Sequence, residues 1–464
     1  MAHNANRPDP ISRPNHTAPA NPRMTAYRVL MQVDGEGGYS NIALNAALSG
    51  TSLAPRDKAF VTRLVYGVLE HEEYLDHVIG SYVRNGGGGK IEPAVRCLLR
   101  MAVYQMAFLD TPDAAAVNES VNLAKKLKLF RATGFINGLL RHYIRDGKQV
   151  KLPDPHRQPD RYLSVTYSCP LWLVKLWREA YGDALCEGIL SRLTERPPLF
   201  ARVNTTRVST ETLQRALAEC GVNAEPSAVL PDCLLLSHTG AIQETPPYLR
   251  GEFHVQDGSS QLCCLLAAPS PGDTVYDVCA APGGKSFTIA ERMGNVGKVI
   301  SCDIHPHRVA LIAEGAERLV LDCIQPTVRD ALSDDGEAGC ADLVLCDVPC
   351  SGLGIIRRKP DIKRKPWSEI QDLPALQYDI LTHAARLVKP GGRLVYSTCT
   401  LRPAENGGVV ERFLKGCPDF EPCAMTLPSG WKRLIQEPAH MLTVFPQTAD
   451  TDGFFIATVR RRTN

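Results

Sequence analysis

The stretch Val275-Tyr276-Asp277-Val278-Cys279-Ala280-Ala281-Pro282-Gly283-Gly284-Lys285-Ser286-Phe287 decides the fold of the C-terminal half. A short apolar run ends at an acid, passes through small residues and two glycines, and continues into a segment with helical spacing. A strand, a tight turn and a helix N-terminus are the parts of a ligand-binding crossover in a parallel sheet. The glycines let backbone approach a ligand, and the unpaired N–H groups at the helix start favour an anionic group. The pattern is not Gly-x-Gly-x-x-Gly, so a carboxylate fits as well as a pyrophosphate.

Outward from this turn, strands and helices alternate. Val299–Cys302, Asp342–Asp347 and Arg393–Ser397 read as parallel strands, and Phe454–Val459 as a late antiparallel one. Residues 256–462 are therefore expected to form a doubly wound, Rossmann-like α/β domain. About twenty residues beyond Gly283 stands Asp303, at the end of the next strand, where an acid accepts ribose hydroxyls in this architecture. Asp330 is expected to end the third strand and to meet an adenine edge.

Upstream the pattern changes. Residues 160–255 mix helix (Pro170 to Tyr181) with short strands (Phe200–Asn204 and Cys233–Leu236), a small α+β domain with no evident chemistry. A proline-rich link over Leu152–Pro159 precedes it. Residues 24–150 show only helical periodicity. Phe60, Val61, Leu64, Val65, Val68 and Leu69 form one stripe, Leu98, Leu99, Ala102, Val103 and Met106 a second, and Phe135, Ile136, Leu139, Leu140 and Tyr143 a third. The run Gly86–Gly89 reads as an interhelical loop. Met1–Arg23, polar and carrying Pro8, Pro10, Pro14, Pro19 and Pro22, reads as a disordered tail, with Met24 an alternative start.

With 464 residues, two or three domains are expected. The 52 Lys and Arg against 50 Asp and Glu leave a formal net charge of +2, which neither requires nor excludes nucleic acid. No 18-residue apolar run and no signal peptide appear, so a cytoplasmic protein without a membrane span is expected. The 16 cysteines form no Cys-x-x-Cys pair, so no metal site is expected, and most read as free buried thiols. The sequons at Asn15, Asn118 and Asn204 then read as chance matches.

Two cysteines stand apart. Leu343-Val344-Leu345-Cys346-Asp347-Val348-Pro349-Cys350-Ser351-Gly352 runs off the end of one strand, and Arg393-Leu394-Val395-Tyr396-Ser397-Thr398-Cys399-Thr400 off another, after the turn at Pro390-Gly391-Gly392. Ligands in open α/β sheets bind at the carboxyl ends of strands, so Cys350 and Cys399 face the same crevice as the glycine turn. Thiols there suit nucleophilic catalysis. Spacing leaves open which one attacks.

These motifs carry a family resemblance. Residues 257–462 resemble the catalytic domain of the RNA 5-methylcytosine methyltransferases, through Cys279–Lys285, Asp303, Asp347-Val348-Pro349-Cys350-Ser351-Gly352, Arg357-Arg358-Lys359-Pro360-Asp361-Ile362, Ser397-Thr398-Cys399-Thr400 and Asp452-Gly453-Phe454-Phe455. The helical region resembles the NusB-like RNA-binding fold through the sequence from Asp57 to Asp76, Leu98–Tyr104, Val117–Val121 and Phe135–Leu140. Together, from about residue 24, the chain resembles the Sun/RsmB (Fmu) branch, 16S ribosomal RNA cytosine methyltransferases that use S-adenosylmethionine.

The resemblance implies that Cys399 is the nucleophile and that Cys350 assists product release. It implies Cys279, Ala280, Ala281, Pro282, Gly283, Gly284, Lys285, Asp303, Asp330 and Asp347 at the cofactor. Carbon 5 of cytosine is a poor nucleophile; a thiolate adding at carbon 6 makes it able to accept a methyl group. Asp347 is the candidate acid near N3, if protonated when needed. The run Arg357, Arg358, Lys359, Lys363 and Arg364, beside the Pro-Cys motif, is expected to hold RNA phosphates. A transfer RNA substrate and a non-catalytic assembly factor are the alternatives, and a monomer is expected.

Overall fold

Proline opens three helices of the N-terminal region, at Pro22, Pro55 and Pro93, positions where the missing N–H costs nothing. The computed structural model describes residues 21–36, 40–83, 91–333 and 338–463. The chain divides into two compact units between Lys151 and Leu152.

Among the described residues the first unit is helical: α1 (Pro22–Glu36), α2 (Ser40–Ser49), α3 (Pro55–Glu70), α4 (Glu72–Tyr82), α5 (Pro93–Phe108), α6 (Asp113–Lys126) and α7 (Thr133–Arg145). Helix α5 is the centre of the bundle, with an unbroken buried run from Cys97 to Met106. The one charge in that run, Arg100, is paired at 2.7 Å with Glu72 and at 2.6 Å with Asp76, as a buried guanidinium must be. Helix α1 begins inside the stretch expected as a tail; residues 1–20 and the Gly86–Gly89 run lie outside the described residues. The three apolar stripes fall on α3, α5 and α7, with one exception. Phe135 is 41% exposed, because the buried stripe of α7 is Ile136, Leu139, Leu140 and Tyr143 and Phe135 points off it.

The second unit opens with helices Pro159–Thr166 and Leu171–Ser191, the latter broken at Gly182, where φ is 77°. A four-stranded antiparallel sheet follows: β1 (Leu199–Val203), β2 (Asn223–Pro226), β3 (Cys233–Ser237) and β4 (Phe253–Val255), in the order β2-β3-β1-β4. The strands expected at 200–204 and 233–236 are β1 and β3.

The larger sheet contains β5 (Thr274–Asp277), β6 (Lys298–Asp303), β7 (Ile324–Val328), β8 (Ala341–Asp347), β9 (Val388–Thr398), β10 (Phe420–Pro422), β11 (Met441–Val444) and β12 (Phe454–Arg461). Its order is β10-β12-β9-β8-β5-β6-β7, with β11 on β12. Strands β5 to β9 are parallel and β12 runs antiparallel to β9. Strand order reverses between β5 and β8, which opens a crevice at their carboxyl ends. Register then aligns the functional residues. Asp277 pairs with Leu345 and Asp347 with Ser397, so the segments leaving β5, β8 and β9 emerge side by side.

Candidate active site

Strand β5 hands the chain to a turn closed by Ala280 N–H donating to the Cys302 carbonyl (2.7 Å) and Gly283 N–H to the Ala280 carbonyl (2.8 Å). Gly283 has φ 108°, and a Cβ there would lie 2.4 Å from the Phe287 ring, so no other residue fits without displacing it. Helix Gly284–Arg292 starts immediately afterwards. Asp277 is buried beneath the turn and accepts a hydrogen bond from Ser286 Oγ at 2.7 Å, which in turn accepts one from Ser301 Oγ at 2.8 Å. Burial pushes the Asp277 carboxyl up to about 7.

Beside the turn lies a cavity of about 240 Å³, apolar on its walls at Val278, Ile304, Ala331, Leu332 and Pro349, and acidic at Asp303 and Asp330. Asp303 is buried and fixed by His305 N–H (3.0 Å) and Arg308 (3.0 Å). Asp330 is exposed, two residues past the end of β7 rather than on it. Arg308 and Arg329 complete the cavity's edge, so apolar walls adjoin groups of both charges. Cys279 borders the same cavity.

The two motif cysteines meet. Cys350 Sγ and Cys399 Sγ are 3.3 Å apart. Their hydrogen bond, followed by burial, pushes the Cys350 pKa well above that of a free thiol, so Cys350 carries its proton. The loops that bring them together converge on Glu405, fully buried and not singled out by any motif. Its carboxylate accepts from Ser351 N–H and from Gln377 Nε2 (both 2.9 Å), and its carbonyl from the Tyr396 hydroxyl (2.6 Å). Gly354 locks the arrangement, donating its N–H to the Cys399 carbonyl (2.9 Å) and accepting from Gly453 N–H (2.9 Å). A Cβ on Gly354 would fall 2.0 Å from the Gly453 oxygen. In sequence only the short spacing from Cys399 to Glu405-Asn406 hints at this hub.

Lys285 does more than close a turn. Its Nζ is 2.7 Å from Asp347 Oδ2 and 5.1 Å from the centre of the Phe454 ring, while Ser397 Oγ donates to Asp347 Oδ1 at 2.8 Å. Burial opposes the charge on Lys285, but the Asp347 carboxylate outweighs it and the ammonium's pKa is raised. The Lys285 ammonium is thus held against the Asp347 side chain.

The basic run is largely internal. Arg357 is buried, bound to Asp450 (2.8 Å) and Asp452 (3.3 Å); Arg358 reaches Asp452 (2.6 Å) and Asp257 (2.9 Å); buried Lys363 donates to the Ser168 carbonyl (2.7 Å). Lys359 is exposed and Arg364 half-buried. Guanidinium groups already bound to two carboxylates are not open to phosphates, so Arg357 and Arg358 fasten the Pro-Cys loop to the segment before β12. A second buried cluster joins the small sheet to the helix of the glycine turn: Arg202 on β1 (3.0 Å) and His254 on β4 (3.3 Å) both engage Glu291.

Comparison with known proteins places this architecture. A family model described as 16S rRNA methyltransferase RsmB/F matches residues 264–460, the NusB family matches 20–145, and the ferredoxin-like domain of RsmF/B-like methyltransferases matches 169–243. The middle α+β region is therefore ferredoxin-like. The probable ribosomal RNA small subunit methyltransferase B of Synechocystis is 38% identical over 95% of this chain and 99% of its own length. Its Bacillus subtilis counterpart is 37% identical over 95% and 98%. Among solved structures, that of PH0851 matches with a TM-score of 0.76 at 26% identity, covering 96% of this chain and all of that one. The chain belongs to the RsmB/F family of 16S ribosomal RNA methyltransferases.

Proposed function

We propose that the protein methylates carbon 5 of a cytosine in 16S ribosomal RNA, with S-adenosylmethionine as donor and a covalent Cys399–cytosine intermediate. The observation that carries this reading is the 3.3 Å approach of two thiols at the ends of β8 and β9, beside an acid-rimmed nucleoside cavity. That cavity would hold the donor, with Asp303 at the ribose, Asp330 at the adenine and the glycine turn at the helix N-terminus at its carboxylate. When bound, it supplies a methyl group on a sulfonium.

The chain's own residues supply the rest. The target base, unstacked at a cost of about a few kcal/mol, is attacked at carbon 6 by the Cys399 thiolate, whose electron pair forms the sulfur–carbon bond and leaves the ring negatively charged. Charge pushed toward N3 is met by the Lys285–Asp347 pair. We assign the stabilising charge to the Lys285 ammonium, whose pKa is raised so that it keeps its proton and faces the ring as a cation. Carbon 5 then accepts the methyl group. The carbon 5 proton then passes to water, its bonding electrons restore the ring and expel Cys399 as a thiolate, and the Cys350 thiol, 3.3 Å away, hydrogen-bonds the departing sulfur.

The test is nucleoside analysis of 16S ribosomal RNA transcript treated with the protein and isotopically labelled methyl donor. Label in 5-methylcytidine is expected. Label in any other nucleoside, or none, overturns the assignment.

A further inference from the structure

Each of the two motif cysteines lies between neighbours that are gripped on both sides. For Cys350 the grip comes from Glu405 with Gln377. Ser351 N–H, on one flank, donates to Glu405 Oε2 at 2.9 Å, and the Pro349 carbonyl, on the other, accepts from Gln377 Nε2 at 2.9 Å. The same Gln377 nitrogen donates to the same Glu405 oxygen at 2.9 Å, so the two flanks are tied into one bracket. For Cys399 the grip comes from Asn406. Its Oδ1 accepts from Thr398 Oγ1 at 2.6 Å, and its Nδ2 donates to the Thr400 carbonyl at 3.0 Å. Glu405 and Asn406 are consecutive in sequence, so one peptide bond joins the two brackets and sets one against the other. Ser351 Oγ and Thr400 Oγ1, 2.8 Å apart, join them a second time.

Packing alone does not call for these groups. Gln377, Thr398, Thr400, Glu405 and Asn406 are all buried. A buried carboxylate is costly, and apolar residues of similar volume serve stability as well or better. The ion pair that Glu405 makes with Arg402 is long, at 3.4 Å. Asn406 immediately precedes the helix Gly407–Gly416, where an asparagine side chain ordinarily accepts a hydrogen bond from the helix's own N–H groups. Here it makes no such bond. Its amide is used on the flanks of Cys399 instead.

We propose that Glu405 and Asn406 are positioning residues that set the two sulfurs against each other, Asn406 aiming Cys399 at the base and Glu405, with Gln377, holding Cys350 beside it. Both act through the backbone on either side of a thiol. Their effects should therefore separate. Opening the Asn406 bracket misdirects the attacking sulfur, and a displacement of about 1 Å costs about 10²-fold in rate. Opening the Glu405 bracket leaves attack in place and withdraws the thiol that assists departure, so the covalent species accumulates. That division of labour rests on Cys399 being the nucleophile; the brackets themselves do not.

In the full-length chain, Asn406→Ala opens one bracket, Gln377→Leu and Glu405→Ala open the other, and Glu405→Gln keeps an oxygen for Ser351 N–H. Diamide reads sulfur contact independently of methylation. It takes one hydrogen from each thiol, is itself reduced to the hydrazine, and leaves a Cys350–Cys399 disulfide that peptide mapping locates. The parent should form this link; the three opening variants should form it about tenfold more slowly, and Glu405→Gln within about threefold of the parent. With 16S ribosomal RNA transcript and labelled donor, Asn406→Ala should lose about 10- to 100-fold in single-turnover methyl transfer and trap no protein–RNA species. Gln377→Leu should keep single-turnover transfer within about threefold, lose about tenfold in kcat with an unchanged KM for RNA, and leave a trapped species on a denaturing gel. Donor affinity near the parental value, by calorimetry, shows that each variant is folded; if Glu405→Ala is not, Gln377→Leu carries the test. A parent that does not link the two thiols, opening variants that link them as fast as the parent, or variants that lower single-turnover transfer and kcat by one common factor overturn the proposal. Cys350→Ala is the reference for the chemistry. If it traps no species, the covalent reading fails, and the linking rates alone decide the brackets.

Discussion

Replacing Lys285 with Met keeps the side chain's length and removes the ammonium. At 2.7 Å and an effective dielectric of about 20, the Lys285–Asp347 pair attracts by about 6 kcal/mol before desolvation is subtracted. The Lys285 side chain is 11% exposed and that of Asp347 30%, so water can recover part of the loss at the carboxylate. A net destabilisation of about 2 kcal/mol follows, below the range for a fully buried pair, and Tm should fall by about 4–8 °C. The larger effect falls on the chemistry. If the ammonium's charge stabilises the attacked ring, single-turnover methyl transfer should slow by about 10² to 10³. Rapid-quench measurement at saturating RNA and donor separates that loss from binding, and calorimetry reports donor affinity in parallel. A variant that binds donor and transfers methyl at close to the parental rate refutes Lys285 as the group that stabilises the attacked ring.

Three further outcomes are expected. Cys399→Ala should abolish methyl transfer while donor affinity by calorimetry stays near that of the parent; residual turnover would mean another nucleophile. Asp303→Ala removes charged hydrogen bonds worth about 1.5–3 kcal/mol and should weaken donor binding by about 10- to 100-fold, also read by calorimetry. Asp277 bears on stability. Its carboxyl is raised to about 7 in the folded chain, so its stabilising contribution is fully present below the unfolded value of about 4 and is lost as pH rises through about 7. Thermal melts from about pH 5 to about pH 8 should show the parent losing about 3 kcal/mol relative to Asp277→Asn; parallel profiles would contradict the shift.

What was legible in the sequence was whatever short-range pattern determines. The glycine turn, the strands at 275–278, 342–347 and 393–397 and the approach of Cys350 to Cys399 all follow from apolar runs ending in small polar motifs, because parallel strands are buried on both faces. Short strands such as Asn223–Pro226 and Phe253–Val255 were missed, since three or four residues carry no readable alternation. The basic run misled for a different reason. Charge is visible in sequence, but the carboxylates that neutralise Arg357 and Arg358 at Asp257, Asp450 and Asp452 lie about a hundred residues away on either side. The same blindness hid Glu291, held by Arg202, and Glu405, held by Ser351 and Gln377 from other parts of the chain.

The central claim concerns the sulfur of Cys399, and the variant Cys350→Ala interrogates it most directly. Removing the thiol that sits 3.3 Å from that sulfur leaves bond formation intact and takes away the hydrogen bond that helps the sulfur depart. Mixing the variant with 16S ribosomal RNA and methyl donor, then resolving the mixture on a denaturing gel, should give a slow-migrating protein–RNA species. That species should disappear when Cys399 is also replaced by Ala. Normal turnover with no trapped species, or a species that survives the loss of Cys399, would contradict it.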